Sequence, residues 1–225
     1  MRYYTADWHL GHRRILEFEP HRPWDSTDEM NAGLIAAVNA VCGPDDELWV
    51  LGDAVMGRRE DTLRWIAEIV PTVHLVSGNH DRTWSYAGSE ARVRRAVDAH
   101  LAAGFASVQD AAEHTIGGQT VRLSHFPYTG DHTAEDRYAD ARLVDDGRWL
   151  LCGHMHSAWQ QHGRQVNVGV DVRDYRPVSE EEIAAIIADG PADRLRERGS
   201  QLVPPGPHVV VGWAARFRVG GTVPG

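Results

Sequence analysis

This chain of 225 residues has little cysteine, no long apolar run and no excess of positive charge. Its two cysteines, Cys42 and Cys152, do not form a CxxC pair. That excludes a disulfide framework and makes a reducing, cytoplasmic setting the expectation. No apolar stretch approaches the ~20 residues that span a bilayer. Residues 2–6 enter a strand pattern at once, with no charged and apolar regions of a secretory leader before them. The 23 basic side chains are outnumbered by 32 acidic ones, for a formal charge of −9. There is thus no general cationic field for nucleic acid, and no membrane partner is expected. Repeats and low-complexity tracts are also absent, and the length suits one sizeable domain. Histidine is plentiful, at 13 residues, and its placement carries the chemistry.

Along the chain, apolar strands alternate with amphipathic helices. Residues 2–6, 47–51 and 73–76 read as strands. Between them lie a helix capped by Ser26 or Thr27, with Met30, Leu34, Ala37, Val38 and Val41 inward, and a helix over 59–70 with Leu63, Ile66 and Ile69 on one side. A further helix follows over 89–103, with Val93 and Val97 inward. Gly117-Gly118 marks a two-residue hairpin between 112–116 and 119–124. A long irregular stretch, 128–147, carries six acidic residues, and loops of that length are often functional. Strands at 149–152 and 165–170 come next, then a helix opened by the capping box Ser179/Glu182. Residues 1–190 read as one α/β domain and 191–225 as an appendage of unnamed role.

Five strands end in polar side chains. They deliver Asp7 and His9, Asp53, Asn79 and His80, His125, and His154 with His156. In extended chain, residues i and i+2 point the same way, so Asp7/His9 and His154/His156 each read as a pair aimed together. Gly52 and Gly78 allow sharp turns next to Asp53 and Asn79. Packing alone does not collect this many polar groups, because each buried polar atom must be satisfied. Two cations would satisfy them together.

The set Asp7-x-His9, Gly52-Asp53, Gly78-Asn79-His80-Asp81, Ser124-His125 and Gly153-His154-x-His156 resembles the calcineurin-like metallophosphoesterase superfamily, in particular its small bacterial and phage members. Leu10-Gly11-His12, Glu29-Met30-Asn31, His125-Phe126-Pro127 and Asn167-Val168-Gly169-Val170-Asp171 followed by Tyr175-Arg176-Pro177 add to it, over about residues 1–188. The resemblance implies a four-layer α/β/β/α sandwich of two mixed sheets flanked by helices. It implies one divalent metal on Asp7, His9, Asp53 and His156, and another on Asp53, Asn79, His125 and His154, with Asp53 shared. Two ions about 3.5–4 Å apart can hold a hydroxide and clamp a phosphoryl oxygen. His80 is then free to act on the leaving group. Mixed N/O ligands suit Mn, Fe, Ni, Co or Zn without separating them, and Mn is the expectation. The chain departs from the family in Ser124, where glycine is usual. It also has Ala54-Val55-Met56-Gly57 where protein serine/threonine phosphatases carry an acid and an arginine, which argues against a protein-phosphatase role.

The expected activity is hydrolysis of a small phosphate ester, a diester rather than a monoester. The alternatives are a nuclease or nucleic-acid end-processing enzyme, disfavoured by the acidic balance, and a non-catalytic module on the same fold. His12 and Arg176 are candidate substrate contacts, with Arg13, Arg58 and Arg82 as further arginines near the motifs. His21, His74, His100, His114, His132, His162 and His208 have no partner at ligand spacing and read as surface or packing residues.

Overall fold

The computed structural model describes residues 1–57 and 59–195. Arg58, His208 and all of 196–225 lie outside the described residues, so most of the expected appendage does too. Two mixed sheets face each other. The first joins β1 (Arg2–Thr5), β2 (Glu47–Leu51), β3 (Thr72–Val76), β4 (Phe105–Gln109) and β10 (Val178–Ser179) in the order β10-β1-β2-β3-β4, antiparallel only at the β10 edge. The second joins β5 (Ala112–Ile116), β6 (Gln119–Leu123), β7 (Trp149–Cys152), β8 (Gln161–Gly163), β9 (Gln165–Asn167) and β11 (Ala192–Arg194) in the order β11-β8-β9-β7-β6-β5. Its inner strands β6, β7 and β9 are parallel.

The period-two alternation of side chains splits the central first-sheet strands β1, β2 and β3 between two cores. Leu48 and Val50 of β2, with Val73 and Leu75 of β3, pack outward against helix α2 (Thr27–Val41) through Met30, Leu34, Ile35 and Val38. On the opposite face, Tyr4, Leu51 and Val76 meet Val121, Leu123, Leu151 and Val166 of the second sheet, closed by Ile183 and Ile187 of α5 (Glu180–Asp189). The outer face of the second sheet, Leu150 and Cys152, is covered by Tyr128, Leu143 and Trp159. Among the described residues no helix is long and apolar enough to cross a membrane.

Some elements differ from the sequence expectations. In α2, Ile35 is buried, whereas Val41 is exposed. The helix expected over 59–70 is one α-turn, α3 (Arg59–Thr62), followed by a 3₁₀ helix, Leu63–Glu68. Leu63, Ile66 and Ile69 recur every third residue, which is the 3₁₀ repeat, and Pro71 forbids continuation. In α4 (Glu90–Ala103) the buried residues are Ala96 and His100, while Val93 and Val97 are only half-buried. The sequence reading did not find β4, β8, β10, β11 or the short helix α1 (Ile15–Phe18). They are short or polar, and β11 (Ala-Asp-Arg) has no apolar pattern at all. β9 stops at Asn167, three residues early, because the chain turns at Gly169 into a 3₁₀ turn over Val170–Val172. That turn stitches the two sheets together: Ala6 bridges Gly169, and Val170 N–H donates to Ala6 O at 3.1 Å.

Candidate active site

The carboxyl ends of β1, β2, β3, β6 and β7 meet at one edge of the sandwich. The ends of β1, β2 and β7 do so by strained backbone rather than by strand alternation. Among the described residues eight non-glycine side chains have positive φ, and five of them are Asp7 (59°), His9 (54°), Asp53 (52°), His154 (67°) and His156 (44°). Left-handed backbone costs a non-glycine residue about 1–3 kcal/mol and clusters at functional sites. Asp7 and His9 therefore do not share a strand face; each is turned inward individually. The surroundings enforce these turns. His9 N–H donates to Asp53 O at 2.8 Å, and His154 N–H donates to both Asp7 carboxylate oxygens at 3.0 and 3.1 Å. A side chain at Gly78 would overlap the Asp53 carboxylate, and one at Gly52, where φ is +89°, would overlap the His125 ring.

Asp81, the last residue of the Gly78-Asn79-His80-Asp81 motif, is buried and acts on the backbone. Its Oδ2 accepts from Asp53 N–H and Gly78 N–H, both at 2.8 Å, and its Oδ1 from Ala54 N–H at 3.1 Å. It thereby locks the β2 turn to the β3 turn. Gly11 is tied down similarly, its N–H donating to buried Asn31 Oδ1 at 3.1 Å.

The donor atoms suit cations. His125 Nδ1 lies 2.9 Å from Leu51 O, a pure acceptor, so Nδ1 carries the proton and Nε2 the lone pair. That Nε2 lies 3.0 Å from Asn79 Oδ1 and 3.5 Å from Asp53 Oδ2. Three acceptors thus face one another with no donor between them. His9 Nε2 is buried without a hydrogen-bond partner, 3.6 Å from Asp53 Oδ2. Candidate ligand atoms of Asp7, His9 and His156 lie within 4.8 Å of one another, as do those of Asp7, Asp53 and His125. Burial pushes the carboxyls up, to about 6 for Asp7 and about 7 for Asp53 and Asp81. It also pushes His9, His125 and His154 down, into the neutral form that ligates metals. His156 is the exception. Burial opposes its charge, but Asp171, Asp7 and Glu19 raise it to about 9, and a cation would displace that proton. The residues present therefore fit divalent metal.

Of the other candidates, His80 donates its N–H to Asp53 Oδ1 at 2.9 Å, and its ring stands edge-on 5.4 Å from His9. Burial and the His156 charge lower its pKa. The His12 ring is 5.5 Å from His9, at the same edge. His80 and Arg82 line a cavity of about 170 Å³ with Val55, Met56, Gly57, Thr62 and His100. Arg176 is not brought to the site. Its guanidinium forks onto Glu182, the acid of α5's capping box, at 2.7 and 3.2 Å, and it lines a separate pocket with Arg173 and Asp174. His132, read as a bland residue, belongs at the site. Its ring is 5.0 Å from His154 and 5.2 Å from His156.

The residues that the sequence reading missed are supports. Asp171 accepts from His156 Nδ1 at 3.0 Å and from Arg22 Nε and Nη2, each at 2.8 Å. Arg22 also donates to Asp7 O at 2.8 Å and Trp8 O at 3.1 Å. Glu19 Oε1 lies 3.7 Å from His156 Nδ1. The only sequence signal for any of these was Asp171 in the segment after β9.

Two sheets thus face each other with carboxylates and imidazoles gathered at their strand ends. The chain belongs to the calcineurin-like phosphoesterase superfamily, whose domain model matches residues 21–186. It is similar to the Gene 66 protein of Mycobacterium phage L5, 38% identical over 204 residues that cover 82% of this chain and 93% of that one. The Gene 66 protein of Mycobacterium phage D29 is 35% identical over 187 residues, covering 79% and 92%. A solved protein of unknown function from Aquifex aeolicus superposes with a TM-score of 0.61 at 24% identity, covering 83% of this chain and 98% of its own. At that identity the likeness speaks for the fold.

Proposed function

We propose that the protein hydrolyses a small phosphodiester with two divalent ions, Mn²⁺ foremost, and with His80 as general acid, in a cytoplasmic setting. The observation that carries this reading is the convergence of His125 Nε2, Asn79 Oδ1 and Asp53 Oδ2 with no donor between them. Asp7, His9, Asp53 and His156 would hold one ion, and Asp53, Asn79, His125 and His154 the other. Asp53 has two oxygens to share. When bound, the ions supply Lewis-acid activation of the attacking water and of a phosphoryl oxygen.

The chain's own residues do the rest. Asp81 and Gly78 hold Asp53 and Asn79 in register. His80 stands beside Asn79 without a place in either ligand set, so its ring can deliver a proton to the departing oxygen. The cavity of about 170 Å³ on the His80 side offers room for the leaving alcohol of an ester, and the choice of a diester follows the resemblance to small members of the family. His12 lies where it can meet the same substrate. The acidic net charge supports a small ester over nucleic acid.

The test is a panel of cyclic nucleotides, dinucleotides, nucleic acids and aryl phosphates, assayed on metal-stripped and Mn²⁺-loaded protein. Diester turnover that chelation abolishes and Mn²⁺ restores is expected. Monoester turnover well above diester turnover would reverse the substrate class, and activity unchanged by chelation would end the metal reading.

A further inference from the structure

His154 and His156 stand two residues apart after β7, and each turns one ring nitrogen to a carboxylate. His156 gives Nδ1 to Asp171, and His154 places Nε2 3.1 Å from Asp131 Oδ2. Asp131 comes from the irregular stretch 128–147. Its carboxylate is the hub of that loop, accepting Arg137 Nε at 3.2 Å, Arg137 Nη2 at 2.9 Å and Thr133 N–H at 3.0 Å. The Asp131 side chain is fully covered, whereas Arg137 remains 34% exposed.

We propose that Asp131 is a positioning residue for the second metal position, acting through His154, with Arg137 as its mount. The proposal rests on the dinuclear reading above. An ionised carboxylate only accepts, so the proton between the two groups belongs to His154 Nε2. A neutral His154 then keeps its lone pair on Nδ1, and Asp131 thereby selects both the tautomer and the ring orientation. Asp131, His132 and His154 also have ligand atoms within 4.8 Å of one another. A cation held there by Asp131 itself would have to displace the Arg137 fork. Asp131 is therefore assigned to orienting His154 and not to direct ligation.

The test uses metal-stripped full-length protein, titrated with Mn²⁺ by calorimetry and with Co²⁺ by visible absorption. Wild type is expected to bind two ions. Asp131→Ala should weaken one of them by about 10–100-fold, the usual cost of losing such an outer partner, and leave the other and the melting temperature unchanged. Asp131→Asn, which keeps an acceptor oxygen, should recover part of that loss. Arg137→Ala should move affinity in the same direction by less, and it keeps the test open if Asp131→Ala fails to fold. Asp131→Ala with two wild-type affinities, or with both weakened equally, overturns the proposal while leaving the dinuclear reading intact. Wild type that binds fewer than two ions overturns both.

Discussion

Two carboxylate–arginine pairs support neighbouring histidines at this site, and they are built in opposite ways. Asp171 and Arg22 are 149 residues apart, both fully covered, and Arg22 also grips the carbonyls of Asp7 and Trp8. Asp131 and Arg137 are six residues apart on a surface loop, and Arg137 is one-third exposed. The first pair is part of the fold. A buried charge that loses its partner costs about 3–5 kcal/mol, so His156 can be released only by damaging the protein. The second pair is local and partly solvated, where an ion pair is worth about 0–1 kcal/mol. His154 can therefore lose its support while the sandwich stays intact. One half of the site is tied to global stability and the other to a loop.

The comparison breaks most decisively at Arg22. Arg22→Ala should destabilise the protein by about 3–5 kcal/mol, read as a lowered denaturation midpoint, whereas Arg137→Ala should change stability by less than about 1 kcal/mol. Equal effects would erase the distinction between the halves. Asp53→Asn tests what the halves share. It should weaken both ions and abolish most turnover, and two tightly bound ions with normal rates would show that Asp53 is not the bridge.

His80→Ala should leave metal content unchanged and cost about 10²–10⁴-fold on nucleotide diesters. The loss on nitrophenyl esters should be smaller, because that leaving group departs without a proton. Equal losses on both would assign His80 to phosphoryl charge stabilisation instead.

The smallest effect is expected at Arg176 and Glu182, away from both halves. Arg176, with the Ser179 cap, holds Glu182 down to about 2, below its ordinary 4.5. A depressed folded-state pKa adds stability above the unfolded value, lost as pH falls from about 4.5 toward 2. Glu182→Gln should slightly flatten the dependence of melting temperature on pH in that window, and Arg176→Ala should leave KM unchanged. A raised KM would restore Arg176 as a substrate contact.

The sequence by itself determined the strands that carry the site and the residue types at their ends. A glycine or small residue followed by Asp, Asn or His after an apolar run is a local signal, visible without knowing what lies opposite. It also placed Ser179 as the cap of α5 and narrowed that of α2 to Ser26 or Thr27, because capping spans only three residues. Tertiary structure decided the rest, because those contacts cross long stretches of chain. Asp81 on the Asp53 turn, Asp171 with Arg22, and the Ala6–Gly169 stitch between sheets each join segments with no shared local pattern. The same holds for the direction of the ligands. Local alternation aims Asp7 with His9 and His154 with His156 by strand geometry, yet all four adopt left-handed backbone. An isolated strand end would not hold that conformation; hydrogen bonds between strand ends do, from His9 N–H to Asp53 O and from His154 N–H to the Asp7 carboxylate.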